Sequence, residues 1–516
     1  MRQIKAGRNL RLFLAGWRGA SYAETMIPHD PHSFNLAAHV LAAGQATPDK
    51  VALAILTLTG AERWSYARLI RAVLGAGGWL LAHDARPGDR VLIRLGNTPA
   101  YPVLYLGAIA AGLVPVATSP LLTGPEITAM AAVVRPRLVV AADGIAVPEG
   151  ARALPADLPA WEAHAPCNWH LGPAEREGYI VFTSGTSGRP MAVRHAHRAI
   201  LARALMQRGW EEIGPTDRLL HSGAFNWTYT MGTGLLDPWT VGATALIPSP
   251  SVQMEHLPLV LRRHDATIFA AVPTVFRRLL RGEMPGLPRL RHALSAGEAL
   301  PAALRTEWQG RTGTDIHEAL GMSEISTFLS GSPSRPAPPG TTGFPQPGRR
   351  IAVLSQETGQ PLPPGEIGVL AVATSDPGLM LSYDGAAPPP GPWFATGDLV
   401  HQDHGGAVHY HGRADEMMNP GGIRVSPREV ETALAGLPGV TDLAVTEVEV
   451  GNGSRVIACF YAGEIVPEST AQAFAADRLA RYKCPRLWVH VAALPRGPTG
   501  KTSRRALVTQ YLKAQP

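Results

Sequence analysis

Three cysteines in 516 residues, Cys167, Cys459 and Cys484, are too few and too widely spaced for a disulfide framework or a zinc site. Their scarcity predicts a reducing compartment, and a cytoplasmic location is the expectation. Charge is sparse as well: 17% of the residues are Asp, Glu, Lys or Arg, and the net charge of +6 is not gathered into long basic runs. That distribution argues against nucleic acid as a partner and suits small anionic ligands. Long apolar spans are missing. The one extended apolar run, Tyr101 to Thr118, is interrupted by Pro102, Pro115 and two glycines, so it reads as a buried helix feeding a core strand and not as a membrane span. Acid is absent from the first 23 residues, which carry Arg2, Lys5, Arg8, Arg11 and Arg18. They read as a basic arm, with an organelle transit segment as the alternative.

Glycine and proline are plentiful, at 54 and 47 residues, which implies many tight turns in a globular chain. The length exceeds what one compact core can use, so several structural units are expected. From about residue 50 to 300, short β-rich runs alternate with helical patterns. Strands are predicted at Val51–Leu56, Arg90–Arg94, Val114–Ala117, Leu138–Ala141, Tyr179–Phe182, Ala243–Ile247, Thr267–Ala271 and His292–Ala296. Helices are predicted at Tyr66–His83, Val103–Ala111 and Ala196–Gln207. Such alternation implies an α/β fold with mostly parallel, layered sheets. Residues 331–392 shift toward Pro, Gly and Ser with short strands at Arg350–Val353 and Gly368–Ala373, which suggests a smaller β-rich subdomain. A helix at Pro427–Leu437 and strands at Val440–Val448 and Val456–Tyr461 then form a small α+β unit. The expected division is residues 1–412 and 413–516.

The strand at Tyr179–Phe182 runs into Thr183-Ser184-Gly185-Thr186-Ser187-Gly188-Arg189-Pro190. Glycines let backbone N–H groups approach an anion and the hydroxyls add donors, so this stretch suits a polyphosphate, although the same composition also makes ordinary turns. It is not a Walker loop, because no Gly-Lys-Ser/Thr follows at the required spacing. Gly500-Lys501-Thr502 comes closer, but Pro495 stands where that motif needs its first glycine.

The pattern Tyr-x-x-Phe-Thr-Ser-Gly-Thr-Ser-Gly-x-Pro resembles the signature loop of the adenylate-forming superfamily of acyl-CoA synthetases, adenylation domains and luciferases. Six further segments resemble that family in order: Ser295-Ala296-Gly297-Glu298-Ala299-Leu300, Gly321-Met322-Ser323-Glu324, Thr396-Gly397-Asp398, Gly412-Arg413-Ala414-Asp415, Tyr482-Lys483-Cys484-Pro485 and Pro498-Thr499-Gly500-Lys501. The resemblance implies an AMP-forming carboxylate–CoA ligase that uses ATP, Mg²⁺ and coenzyme A and passes through an acyl-adenylate. It implies that Thr183, Ser184, Gly185, Thr186, Ser187 and Gly188 hold phosphate. Ala296, Gly297 and Glu298 would border adenine, and Gly321, Met322 and Ser323 the nucleotide. Glu324 would hold magnesium, and Asp398 and Arg413 the ribose. Lys501 would bridge the substrate carboxylate and the α-phosphate, with Ser323 and Glu324 completing the catalytic set. Asp415 matches the hinge about which the C-terminal domain turns, and Gly421 and Gly422 match the glycine-rich segment beside the CoA tunnel. Taken singly, each charged residue has a plain reading as a helix-start, turn, linker or surface group.

One position departs from the family: Met191 follows the loop proline where lysine is usual, and Arg189 and Arg194 are the nearby candidates to replace the lost cation. A silent acyl- or nucleotide-binding homologue is therefore an alternative. Ala192-Val193-Arg194-His195-Ala196-His197-Arg198, together with Leu294–Pro301 and Phe328-Leu329-Ser330, resembles the benzoate and aminobenzoate ligase branch. In Phe225-Asn226-Trp227-Thr228-Tyr229 the aromatics alternate as on an extended strand, whose one face would close over a flat or cyclic acyl group. The resemblance places Trp227 at the gate and Tyr229 against the acyl pocket. Thr327 falls where benzoate ligases commonly carry histidine, which widens the expectation to substituted aryl, alicyclic and short branched acids. Only 15 residues follow Lys501, so free CoA is the simpler acceptor, with loading of a separate carrier protein as the alternative. A homodimer is the candidate assembly.

Overall fold

The computed structural model describes residues 30–184, 190–418, 425–450, 454–497 and 502–514. Two large sheets dominate it. In the nine-stranded sheet, six parallel strands lie side by side: Ile316–Met322, His292–Ala296, Ile268–Ala271, Arg218–His221, Thr244–Pro248 and Val51–Leu56. Antiparallel strands close both edges. The seven-stranded sheet has five parallel strands, including Arg90–Arg94, Val114–Ala117 and Glu177–Ser184, and an antiparallel edge formed by Pro190–Ala196 and Ser382–Tyr383. The parallel strands are apolar on both faces because helices cover both faces.

The helix Ala100–Ala110 is buried from Tyr101 to Ala110, which is why the long apolar run lacks a polar stripe. Its neighbour Tyr66–Ala82 begins on a Ser65 cap, whose hydroxyl accepts the Arg68 N–H at 3.2 Å. The two helices pack so closely that a Cβ on Gly107 would sit 2.8 Å from the Ala76 Cβ. Among the described residues, no helix is long and apolar enough to cross a membrane.

A four-stranded antiparallel sheet follows, made of Ile351–Leu354, Gly368–Ala373, Trp393–Gln402 and Val408–Arg413. Its apolar face closes over Ile325, Phe328 and Leu329, so the β-rich segment is anchored on the edge of the large sheet. Beyond Arg413, the strands Val440–Val450, Ser454–Gly463 and Leu487–His490 make a separate three-stranded sheet. The helices Pro427–Leu434 and Glu468–Ala476 pack on one of its faces and Arg504–Ala514 on the other.

Two expectations of local structure need correction. Thr228–Met231 is a short helix and not part of a strand, so the alternation of Phe225, Trp227 and Tyr229 does not put them on one face. The predicted helix at Ala196–Gln207 begins at Ala199 and passes at Gln207 into a π-helical turn, Gln207–Glu211.

Candidate functional site

Glu177–Ser184 and Pro190–Ala196 pair antiparallel, with Thr183 opposite Met191. Gly185, Thr186, Ser187, Gly188 and Arg189 lie outside the described residues. Alternation along Pro190–Ala196 puts Met191, Val193 and His195 on one face and Arg194 on the other. On that other face Arg194 is already engaged: its Nε lies 2.6 Å from Glu177 Oε2 and 3.7 Å from Asp384, and its Nη1 donates to Ser382 Oγ at 3.2 Å. Arg194 is therefore not the replacement cation for Met191, contrary to the expectation from sequence distance.

The hairpin of Ile316–Met322 and Ser326–Ser330 carries the next group of residues. Glu324 is buried in its turn, where the Tyr383 hydroxyl donates to Glu324 Oε1 at 2.8 Å. Burial, with the neighbouring Glu324 carboxylate, pushes the Tyr383 phenol up, so it stays a donor. The Glu324 carbonyl accepts the Met380 N–H at 2.8 Å. The Ser323 carbonyl lies 2.8 Å from His195 Nε2, so that nitrogen carries the proton. Burial pulls His195 down to about 4 and keeps the ring neutral, stacked on Tyr179 at 4.8 Å between centroids. Gly321 stands opposite Thr327, with Met322 opposite Ser326.

His292–Ala296 ends at Ala296, and Gly297 then turns at φ 94°, a value that glycine alone takes without strain. Glu298 follows, with the Thr274 hydroxyl donating to its Oε2 at 3.4 Å. Arg496 reaches Glu298 Oε1 at 3.7 Å from the C-terminal unit and pairs in an isolated antiparallel bridge with Thr502. Lys501, just before Thr502, lies outside the described residues, as do Gly421 and Gly422.

Asp398 stands opposite Arg413 in the hairpin of Trp393–Gln402 and Val408–Arg413. The Tyr410 hydroxyl donates to Asp398 Oδ1 at 3.1 Å. Arg413 donates to the Thr396 carbonyl at 2.7 Å and to Asp415 Oδ1 at 3.1 Å, and its Nη1 lies 3.6 Å from Asp398 Oδ1. A Cβ on Gly397 would come within 2.8 Å of Arg413 Nη2, so glycine is what lets the guanidinium lie across this turn.

On the third side, the Tyr229 ring meets His221 edge-on at 4.4 Å and stacks against Trp210 at 5.8 Å, and its hydroxyl donates to the Leu294 carbonyl at 3.1 Å. Trp227 is half-buried just before it. Thr327 is buried, and its hydroxyl has no hydrogen-bond partner among the described residues. A cavity of about 280 Å³, lined by Asn97, Ser222, Gly223, Pro248, Met254 and Leu257, lies beside the segment leading to Trp227 and includes none of the sequence-derived site residues.

The structure thus joins Ser323, Glu324 and Thr327 in one β-hairpin, Asp398 with Arg413 and Asp415 at the open end of another, and Glu298 with Arg496 in the segment before Lys501. It adds His195, Tyr383 and Tyr410, which sequence reasoning missed. His195, an imidazole that follows Met191 and Val193 on the apolar face of its strand, was the one with a visible signal. Among the described residues, no group of three or more His, Cys, Asp or Glu side chains could hold a metal. A single buried carboxylate such as Glu324 fits Mg²⁺, which keeps waters and substrate phosphates as its other ligands, and does not fit zinc.

Comparison with known proteins places these features in context. The AMP-binding enzyme family matches residues 40–384. The 3-hydroxybenzoate–CoA/4-hydroxybenzoate–CoA ligase of Thauera aromatica is 28% identical, over 86% of this chain and 91% of its own length. The benzoate–CoA ligase of the same organism is 30% identical, over 81% of this chain and 85% of its own. The solved structure of a benzoate CoA ligase from Burkholderia xenovorans LB400 aligns with a TM-score of 0.81 at 28% identity, covering 92% of this chain and all of the other.

Proposed function

The chain belongs to the AMP-binding enzyme family and is an AMP-forming acid–thiol ligase, and from that premise we propose that it activates an aryl, cyclic or short branched carboxylic acid and passes it to coenzyme A. A carboxylate oxygen attacks the α-phosphorus of ATP, the bond to pyrophosphate breaks, and acyl-AMP forms. The CoA sulfur then attacks the acyl carbon, and AMP leaves with the carboxylate-derived oxygen.

Bringing a carboxylate to a polyphosphate sets anion against anion, so the residues must neutralise charge and hold the partners in line. Lys501 fills the first role at the reacting oxygens. Glu324, its oxygen fixed by Tyr383, would hold Mg²⁺, which supplies positive charge to the phosphates when bound. Thr183 to Gly188 donate to the phosphates, while Asp398 accepts from the ribose hydroxyls with Arg413 beside it. Trp227, Tyr229 and Thr327 border the acyl group. Residues 413–516 act as the moving unit about Asp415, exchanging the Lys501 segment for Gly421-Gly422 in the second half-reaction. A cytoplasmic location and a homodimer belong to the same proposal.

The observation that supports this reading best is the hairpin segment of residues 323–327. It brings the partner of the phosphate-side strand (His195 on Ser323), the metal-side carboxylate (Glu324) and the acyl-side Thr327 within five consecutive residues. A panel of carboxylic acids, scored for ATP-to-AMP conversion with CoA, with a carrier protein and with neither, tests it. Acid-dependent AMP and pyrophosphate with CoA consumption are expected. Consumption of the carrier protein alone would move the acceptor assignment, and no acid-dependent pyrophosphate would leave the silent-homologue reading. A second expectation concerns Asp398→Ala: the loss of charged hydrogen bonds to ribose raises the KM for ATP about 10- to 150-fold, read by steady-state kinetics. An unchanged KM contradicts the ribose role.

A further inference from the structure

We propose that Arg203, acting through Ser326, is the positioning residue that sets the Glu324 turn for adenylation; the inference rests on reading Glu324 as the carboxylate that holds magnesium. Ser326 has φ 68°, in the left-handed region where a side chain with a Cβ is strained. Such a conformation persists only where surrounding contacts enforce it. Ser326 Oγ accepts from Arg203 Nη1 at 2.9 Å and donates to Met206 Sδ at 3.6 Å. On the next residue, the Thr327 carbonyl accepts from Arg349 Nη2 at 3.1 Å.

Both guanidiniums are buried and each is paired with a buried aspartate, Arg203 with Asp237 and Arg349 with Asp376. Arg203 Nε donates to Asp237 Oδ1 at 2.7 Å, and Gln207 Nε2 donates to the same oxygen at 3.3 Å. Arg203 Nη2 also donates to Thr233 Oγ1 at 3.2 Å, and Thr233 in turn donates to Glu211 Oε1 at 3.0 Å. Burial together with the Asp237 charge pushes the Glu211 carboxyl well above its usual range, so Glu211 is neutral and the cluster balances one cation against one anion. A Cβ on Gly232 would collide with the guanidinium, which leaves Arg203 a single seat.

Gln207 and Glu211 come from one π-helical turn, and Thr233 from a second, Gly232–Leu236. Such turns collect at functional sites. The second begins three residues after Tyr229. Arg203 therefore ties the segment of Tyr229 to the turn of Glu324, two parts that must keep a fixed separation if the carboxylate is to meet the α-phosphorus. A buried ion pair also has a purely structural use, and the test must separate the two.

In the full-length protein, acid-dependent pyrophosphate exchange is measured against Mg²⁺ concentration for Ser326→Ala, Ser326→Gly and Arg203→Lys. Alanine removes the tie and keeps the strain. Half-saturating Mg²⁺ should rise, and the exchange rate fall, by about 5- to 30-fold, the range that left-handed strain implies. Thioester formation from supplied acyl-adenylate should stay within about twofold. Glycine removes the tie and also the strain, so it should stay within about threefold of the unaltered enzyme. Arg203→Lys keeps the charge beside Asp237 but shortens the reach to Ser326. It should follow alanine, and it carries the test if Ser326→Ala does not fold. An unshifted Mg²⁺ dependence in alanine and lysine variants, equal loss in both half-reactions, or glycine as impaired as alanine overturns the proposal. Glu324→Gln is the independent control: if it leaves Mg²⁺ dependence unchanged, the role assigned to Glu324 falls whatever the Ser326 variants do.

Discussion

Lys501→Ala will lower acid-dependent pyrophosphate exchange by about 100-fold or more, while thioester formation from supplied acyl-adenylate stays within about twofold. The first half-reaction builds negative charge between a carboxylate and a triphosphate, and one well-placed ammonium stabilises it most when water is excluded. The second half-reaction has already lost pyrophosphate and needs no cation at that bridge. Arg496 and Thr502 flank the lysine and pair with each other, and Arg496 reaches Glu298 at the end of a central strand of the large sheet. Arg496, ahead of the lysine in sequence, thus contacts the residue that the family resemblance places beside adenine. Equal loss in both half-reactions would contradict an exchange of segments by the C-terminal unit.

Met191→Lys should raise the adenylation rate by about 10- to 150-fold, the worth of one charge-assisted hydrogen bond to phosphate. Met191 stands opposite Thr183, the first residue of the hydroxyl-rich stretch, so an ammonium there would face the phosphates that this stretch is proposed to hold. Arg194 cannot supply that charge, because the strand turns it to the opposite face, where Glu177 and Asp384 hold it. Single-turnover formation of acyl-AMP is the readout. A rate that is unchanged or lower shows a site adapted to methionine and returns weight to a homologue that binds without turning over quickly.

The regular framework was legible because its signals are local. Strands at Val51–Leu56, Arg90–Arg94, Val114–Ala117, Leu138–Ala141, His292–Ala296 and Gly368–Ala373 have the predicted bounds, since each is a short apolar run closed by turn residues. The Phe225–Tyr229 stretch misled because period-two aromatics mimic a strand. What fixes Tyr229 is tertiary: a hydroxyl bond to Leu294 and ring contacts with Trp210 and His221.

The candidate functional loops could be proposed only through resemblance, since a run of hydroxyls and glycines or a Thr-Gly-Asp sequence has no unique chemistry by itself. Their supports were not legible at all. Tyr383 meets Glu324 across 59 positions of sequence and Arg203 meets Ser326 across 123, separations that no local pattern encodes. A faint trace was present: Arg203 in Ala-Ile-Leu-Ala-Arg-Ala-Leu-Met and Asp237 in Leu-Leu-Asp-Pro-Trp are single charges in apolar surroundings, and a buried charge requires a partner. Which partner, and what the pair positions, came only with the fold.

The central claim is that a carboxylate oxygen becomes bonded to phosphorus. Turnover with an accepted acid labelled with ¹⁸O in both carboxylate positions tests it directly, because the oxygen that attacks the α-phosphorus leaves with AMP. Mass spectrometry should find one labelled oxygen in each AMP and none in pyrophosphate. Unlabelled AMP, or ADP and orthophosphate as the products, would contradict the acyl-adenylate.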